Sequence, residues 1–203
     1  ICSYPKFTPI PFKEDSIWDG YPEETNAPYG LAKKMLLVQS QAYKQQYNFE
    51  SITVFPTNLF GQNDNFDEDS SHVIPAIIKK VLNAIQNNYD SISLWGDGTP
   101  TRDFLYVDDA ASGILLAAEK YSDPEPLNLG SGIEISIKDL ANLIIKTMNA
   151  NLKISWEIDK PNGQPKRCVS IEKAKKKIGF HPKVSLEDGL KLTIDSFINQ
   201  NNW

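Results

Sequence analysis

Short β-branched runs alternating with amphipathic segments of helical period predict an α/β fold for this chain. Two further observations agree. Ser-x-x-Asp pairs open two of the helical segments, and Pro- and Gly-bearing turns punctuate the runs. No internal repeat and no low-complexity tract interrupts the pattern.

Residues 1–25, with Pro5, Pro9, Pro11 and Pro22, read as an irregular loop. A helix follows over about 27–47, with Pro28 in its first turn and Thr25 or Asn26 as its cap. Its residues Leu31, Met35, Val38, Ala42 and Tyr43 are expected to face a core. Residues 51–59 form an apolar run that Pro56 ends, read as one buried strand and its carboxyl-end loop. The helix predicted at 71–87 carries Val73, Ile77, Ile78, Val81, Leu82 and Ile85 on one side, with Pro75 confined to its first turn. Strand 91–95 leads into the turn Gly96-Asp97-Gly98-Thr99-Pro100. Then come a strand at 104–107, a helix capped by Asp108 or Asp109, and a strand at 126–129. Ser136-x-x-Asp139 and Ser185-x-x-Asp188 are capping boxes for two later helices. Between them lie a strand at 153–158, a turn at Pro161-Asn162-Gly163 and a short helix ending at Gly179. A domain boundary is expected near residue 60.

A hydrophobic content of 40% and a charged content of 23% are those of an ordinary soluble globular protein. The net charge of −5 argues against nucleic acid as a partner. No apolar run approaches the roughly 18 residues of a membrane span, so no membrane partner is expected. The two cysteines, Cys2 and Cys168, form neither a metal-ligand spacing nor a disulfide framework. No metal site is expected, and a reducing, cytoplasmic setting is. Ile1-Cys2-Ser3-Tyr4-Pro5 reads as the end of a strand entering a loop, as if the chain began in mid-fold.

Tyr29 and Lys33 carry the clearest chemistry. Four residues apart on a helix, they share a face about 6 Å apart along the axis. An ammonium beside a phenol favours the phenolate, which suits proton exchange near neutral pH. The spacing alone also fits an ordinary solvated helix. Two Gly-x-Gly pairs, at 96–98 and 130–132, fail to complete Gly-x-Gly-x-x-Gly, so both read as plain turns. An intact dinucleotide site cannot be built from these residues alone.

Several segments together, in order along the chain, resemble the extended short-chain dehydrogenase/reductase family of nucleotide-sugar epimerases and dehydratases. They are Cys2-Ser-Tyr-Pro-Lys6, Glu24-Thr-Asn-Ala-Pro-Tyr-Gly-Leu-Ala-Lys33, Val54-Phe-Pro-Thr-Asn-Leu-Phe-Gly61, Asp64-Asn-Phe-Asp67, Ser71-His-Val-Ile-Pro-Ala76 and the block from Trp95-Gly-Asp-Gly to Val-Asp-Asp109. The resemblance implies the carboxyl-terminal part of a Rossmann-type doubly wound parallel sheet plus a smaller α/β substrate-binding domain. Residues 1–60 would be the sheet's tail with the Tyr-x-x-x-Lys helix, and 61–203 the nucleotide-sugar domain. The family's first part, carrying most of the cofactor sheet and a serine or threonine partner of the tyrosine, is expected upstream of Ile1.

What the resemblance implies about chemistry is 3,5-epimerisation and NADPH-dependent 4-reduction of GDP-4-keto-6-deoxy-D-mannose. The alternatives are GDP-mannose 3,5-epimerisation, another nucleotide-sugar epimerase or dehydratase activity, and a non-catalytic binding fragment. Tyr29 would protonate the C4 oxygen and Lys33 would bind the nicotinamide ribose. Cys2 and His72 would be the base and acid of epimerisation, a thiolate being a competent base and histidine a ready proton donor. Pro56, Thr57, Asn58 and Leu59, with His72, would lie against the nicotinamide end of NADP(H). Lys80, Trp95, Arg102, Asn162 and Arg167 would hold the GDP-sugar, the arginines on its diphosphate. At Asn162 the resemblance implies an aspartate, so a base-selecting charge is lost. A homodimer through the Tyr–Lys helix and its neighbour is implied for the intact protein.

Overall fold

The structure, a computed structural model, describes residues 1–160 and 162–201. The elements are α1 (Ala27–Tyr47), β1 (Val54–Pro56), β2 (Asn58–Phe60), α2 (Val73–Gln86), β3 (Ser91–Trp95), β4 (Thr101–Arg102), β5 (Phe104–Tyr106), α3 (Val107–Lys120) and β6 (Leu127–Leu129). After them come β7 (Ile135–Ser136), α4 (Ile137–Thr147), β8 (Lys153–Glu157), β9 (Lys166–Arg167), α5 (Glu172–Ile178) and α6 (Leu186–Asn201). The fold is α/β, and β1 pairs with β6 and β3 with β8 in parallel.

The chain divides into two compact units. Unit 1 comprises 1–59, 103–134 and 166–183; unit 2 comprises 60–102, 135–165 and 184–203. The chain passes from unit 1 to unit 2 after residue 59, returns to unit 1 at 103, and crosses again after 134, 165 and 183. The reason is strand pairing. β1 pairs in parallel with β6, Val54 opposite Leu127 and Pro56 opposite Leu129, which draws residues 103–134 back to unit 1.

Among the described residues, unit 1 shows two apolar cores. In one, Leu105, Ala110, Ala117, Leu127, Leu129, Ile178 and Phe180 close α3 and α5 onto β6. Gly113 lets α3 sit close, since a Cβ there would come within 2.9 Å of Phe180 Cε2 and 3.1 Å of Leu129 Cδ2. In the other, Tyr4, Phe12, Ile17, Leu37, Phe55, Val169 and Ile171 pack together. The first 25 residues are therefore more than a loop: they carry a 3-10 helix at Glu14–Trp18 and a parallel bridge from Phe12 to Val169. A buried polar chain runs through this core. The Tyr4 hydroxyl donates to Asn128 Oδ1 at 2.7 Å, and Asn128 N–H donates to the Glu14 carboxylate at 2.9 Å. Burial pushes both Tyr4 and Glu14 above their usual ranges.

In unit 2, β3 and β8 align in parallel over five residue pairs from Ser91–Lys153 to Trp95–Glu157, and β4 pairs antiparallel with β7. α2 packs on β3 through Ile74, Ile77, Ile78 and Val81, and α4 packs against both α2 and α6. The capping boxes form as expected. Asp139 N–H donates to Ser136 Oγ at 3.0 Å and Asp188 N–H to Ser185 Oγ at 3.1 Å.

Several local expectations are corrected. The run 51–59 holds two short strands, because β1 pairs with β6 and β2 with β5; between them Thr57 gives its N–H to the Leu129 carbonyl at 2.8 Å and its hydroxyl to the Asp103 carbonyl at 2.9 Å. Neither Asp108 nor Asp109 caps α3. Tyr106 holds the cap position, and the Asp109 carboxylate instead accepts Lys183 N–H at 2.9 Å. In the 161–163 turn, Pro161 lies outside the described residues, while Gly163 has φ 70°.

The largest correction concerns α1. Leu31, Met35, Val38 and Tyr43 are exposed, and the buried stripe is Ala27, Gly30, Lys34 and Leu37. Apolar residues ring most of this helix, so periodicity does not choose its face. Close approach does: a Cβ on Gly30 would come within 2.5 Å of the Cys2 carbonyl oxygen. Lys34 is tolerated because its stem is buried while its ammonium reaches the Gly20 carbonyl at 3.3 Å and lies 5.3 Å from the Trp18 ring centroid. Burial holds Lys34 below its usual value.

Neither Thr25 nor Asn26 caps α1 through its own side chain. Glu23 supplies the acceptor for Thr25 Oγ1 at 2.5 Å, Asn26 Nδ2 at 2.7 Å and Asn26 N–H at 3.2 Å. These donors, Thr25 first, pull the Glu23 carboxyl down to about 2. A carboxyl depressed by folding stabilises the native state above its ordinary value of 4.5, and that stability is lost as pH falls toward about 2. Glu23→Gln should therefore lower the urea midpoint at pH 7 and shrink its further drop between pH 7 and about pH 3. An equal drop in the two proteins would show that the carboxylate is not the group anchoring this helix start.

Candidate active site

In unit 1 the start of α1 presents Tyr29 to solvent, 59% exposed, with Lys33 Nζ 5.2 Å from its ring centroid. The ammonium thus lies over the ring, a cation–π arrangement that keeps the pair on one face. Because α1 rests on the Cys2 carbonyl at Gly30, the half-buried Cys2 is packed directly beside the Tyr29 helix. Arg167, at the end of β9, donates from Nη1 to Cys2 Sγ at 3.6 Å.

The 56–59 segment follows β1 and is fixed by one backbone atom. The Asp103 carbonyl accepts Thr57 Oγ1 and Asn58 Nδ2, each at 2.9 Å. The Asp103 side chain is itself completely buried. Its carboxylate accepts Ser131 Oγ at 2.6 Å, Ser131 N–H at 2.9 Å, Gly132 N–H at 3.3 Å, Val169 N–H at 3.4 Å and the Cys168 thiol at 3.8 Å. Burial pushes this carboxyl up, while the hydrogen bonds pull against the shift. Sequence reasoning passed over Asp103. The signal available was a lone acid opening the apolar run Phe104-Leu105-Tyr106.

In unit 2 the expected nucleotide residues gather around the carboxyl end of β3. Trp95 ends that strand, 63% exposed, with Lys160 Nζ 5.7 Å from its ring centroid. Lys80 donates to the Ser93 carbonyl at 2.7 Å. Asn162 Oδ1 accepts Asp97 N–H at 3.0 Å, locking the turn after Trp95. Arg102 Nη1 donates to the carbonyls of Thr101 at 2.7 Å and Gln164 at 2.8 Å. A Cβ on Gly163 would lie 3.7 Å from Arg102 Nη2, which places Arg102 beside the Asn162–Gly163 turn. His72 occupies the cap position of α2, exposed, without a side-chain cap hydrogen bond. A cavity of about 510 Å³ beside α2 is lined by Glu68, Asp69, Lys79 and Lys80 among others; only Lys80 of the expected residues lines it. Arg167, expected with the nucleotide set, belongs to unit 1 and is on Cys2.

Neither Gly-x-Gly pair is a phosphate cradle. A Cβ on Gly96 would fall 2.0 Å from Asn162 Oδ1, and one on Gly130 would fall 2.4 Å from Val169 Cγ2. Both turns are filled by the protein itself. No group of three or more potential metal ligands occurs among the described residues, and no described helix is long and apolar enough to cross a membrane.

The sequence model of the NAD dependent epimerase/dehydratase family matches residues 1–130. GDP-L-fucose synthase of Sinorhizobium fredii is 40% identical over 198 residues, covering 98% of this chain and 63% of that protein. GDP-L-fucose synthase 1 of Arabidopsis thaliana is 39% identical over 97% of this chain and 61% of that protein. A GDP-L-fucose synthetase of Naegleria fowleri, solved bound to NADP, superposes with a TM-score of 0.89 at 30% identity, over 99% of this chain and 64% of that one. The chain thus spans less than two thirds of the length of these relatives. The matched family model, these identities and the shared fold together establish that the chain belongs to the NAD dependent epimerase/dehydratase family.

Proposed function

We propose that this chain carries out 3,5-epimerisation and NADPH-dependent 4-reduction of GDP-4-keto-6-deoxy-D-mannose, the work of a GDP-L-fucose synthase, jointly with an amino-terminal segment such as its relatives possess. One observation carries the reading. Gly30 lets the helix bearing Tyr29 and Lys33 rest on the Cys2 backbone, so a cysteine adjoins the helix that carries the phenol–ammonium pair. Proton transfer to the C4 oxygen falls to that pair; a thiol is suited to proton removal from carbon.

The residues present fit the nicotinamide end of NADP(H). Tyr29 and Lys33 are displayed together, and the Asp103 carbonyl fixes Thr57 and Asn58 in the segment that leaves β1. They do not fit its pyrophosphate, because the glycine turns that might hold it are filled. When bound, the cofactor supplies hydride to C4. Tyr29 donates its hydroxyl proton to the C4 oxygen, and Lys33 holds the ribose and supports the phenolate left behind. In epimerisation Cys2 takes the proton beside the ketone and His72 returns one from the other face. Lys80, Trp95, Arg102 and Asn162 bind the nucleotide, the guanidinium on its phosphates. A homodimer and a cytoplasmic location belong to the same proposal.

The two half-reactions separate the roles. In a hybrid joining the amino-terminal segment of the Sinorhizobium relative to this chain, Tyr29→Phe should cut reduction by at least about a hundredfold. Solvent deuterium should still exchange into the ketosugar. Cys2→Ser or His72→Asn should suppress that exchange instead. Equal loss of both activities in all three variants would refute the division of roles.

Nucleotide choice is a separate expectation. An arginine–phosphate contact contributes about 1.5–3 kcal/mol, so Arg102→Ala should weaken GDP binding roughly ten- to a hundredfold. Thermal shifts of the hybrid with GDP, UDP and dTDP would test it. A clear preference for UDP or dTDP would assign the chain to another branch of the family.

A further inference from the structure

We propose that Arg167 is a positioning residue for Cys2 in the proposed epimerisation: its guanidinium fixes the sulfur and is placed to pair with the thiolate that the step requires. The inference rests on the reading of Cys2 as the base. Arg167 Nη1 and Cys2 Sγ meet at 3.6 Å across 165 positions of sequence. Both backbones are anchored independently of that contact. Phe12 N–H donates to the Cys168 carbonyl and Ser170 N–H to the Phe12 carbonyl, each at 2.8 Å, and Val169 N–H is held by Asp103. On the other side the Cys2 carbonyl is pressed against Gly30 of α1. The fold sets the contact; it is not a chance meeting of two mobile surface chains.

The task explains the pairing. To act as base, sulfur must be anionic before it meets the carbon-bound proton. The S–H bond then forms as C–H breaks, and the electron pair moves onto the ketone oxygen as an enolate. A guanidinium is permanently charged and presents N–H donors in a rigid fork, so it can hold an anionic sulfur without competing for the proton.

Iodoacetamide alkylation of the chain at about pH 8, with peptide mass mapping, tests this without any catalytic readout. Cys168 serves as a fold monitor, since it is buried and its thiol is pushed up to about 12. Arg167→Met should slow alkylation of Cys2 about three- to tenfold. Arg167→Lys should restore most of the rate, and Cys168 should stay protected throughout. In the unmutated chain, raising salt from about 0.05 M to about 1 M should slow Cys2 about twofold by screening the pair. Unchanged or faster alkylation of Cys2 in Arg167→Met, with Cys168 still protected, would overturn the proposal. If that variant exposes Cys168 by unfolding, the salt series on the unmutated chain decides, and no slowing overturns it. Slowing as expected, together with undiminished ketosugar exchange in the Cys2→Ser hybrid, would retain the pairing and remove the base role.

Discussion

A carboxylate with no solvent contact must recover several kcal/mol of lost hydration, and Asp103 does so by becoming the knot of unit 1. Its oxygens accept from Ser131, Gly132, Val169 and Cys168, and its own carbonyl accepts from Thr57 and Asn58. The segments that leave the adjacent parallel strands β1 and β6 are thereby tied to one residue. In open α/β sheets that edge is where ligands bind. Through Val169 the tie extends to Arg167, two residues earlier, and so to Cys2. The negative charge held there also reaches Cys168, whose thiol burial and Asp103 together push up. One cysteine is thereby kept inert while the other sits beside a cation.

The parts of the fold legible in the sequence are those where local chemistry is decisive. α2, β3, α4 and α6 stand where period and capping boxes place them, because Ser136 and Ser185 satisfy backbone donors three residues on. Distance in sequence hides the rest. The buried face of α1 depends on a glycine meeting a carbonyl 28 positions earlier, and no periodicity encodes that contact. The cap of α1 is Glu23, outside the usual cap position, because its longer side chain reaches back over Thr25 and Asn26. Asp109 looks like a cap and is drawn off by Lys183, 74 residues away.

The candidate site shows the same division. Tyr29 and Lys33 were legible as a pair because four residues make one helical turn. Trp95, Arg102 and Asn162 were legible only through family resemblance, since their meeting depends on loops that close around the end of β3. Arg167 was assigned to phosphate on the strength of its charge. Its contact with Cys2 could not be read from spacing, because the two lie at opposite ends of the chain. Asp103 lies inside the Trp95–Asp109 block, where a buried acid is uncommon enough to escape compositional reasoning.

Gly113 has a consequence for how this sequence can drift. The ring of Phe180 fills the space where a Cβ would stand, and Leu129 closes the other side. Neither position is free to change first toward a larger residue. A methyl at 113 meets the ring, whereas trimming the ring leaves a void in a close-packed core. Accepted paths must shrink residue 180 before they enlarge 113, so the order of substitutions is constrained even where both end states are tolerable. The packing of α3 against the segment after α5 thus imposes a direction on neutral change at a place remote from any reacting group.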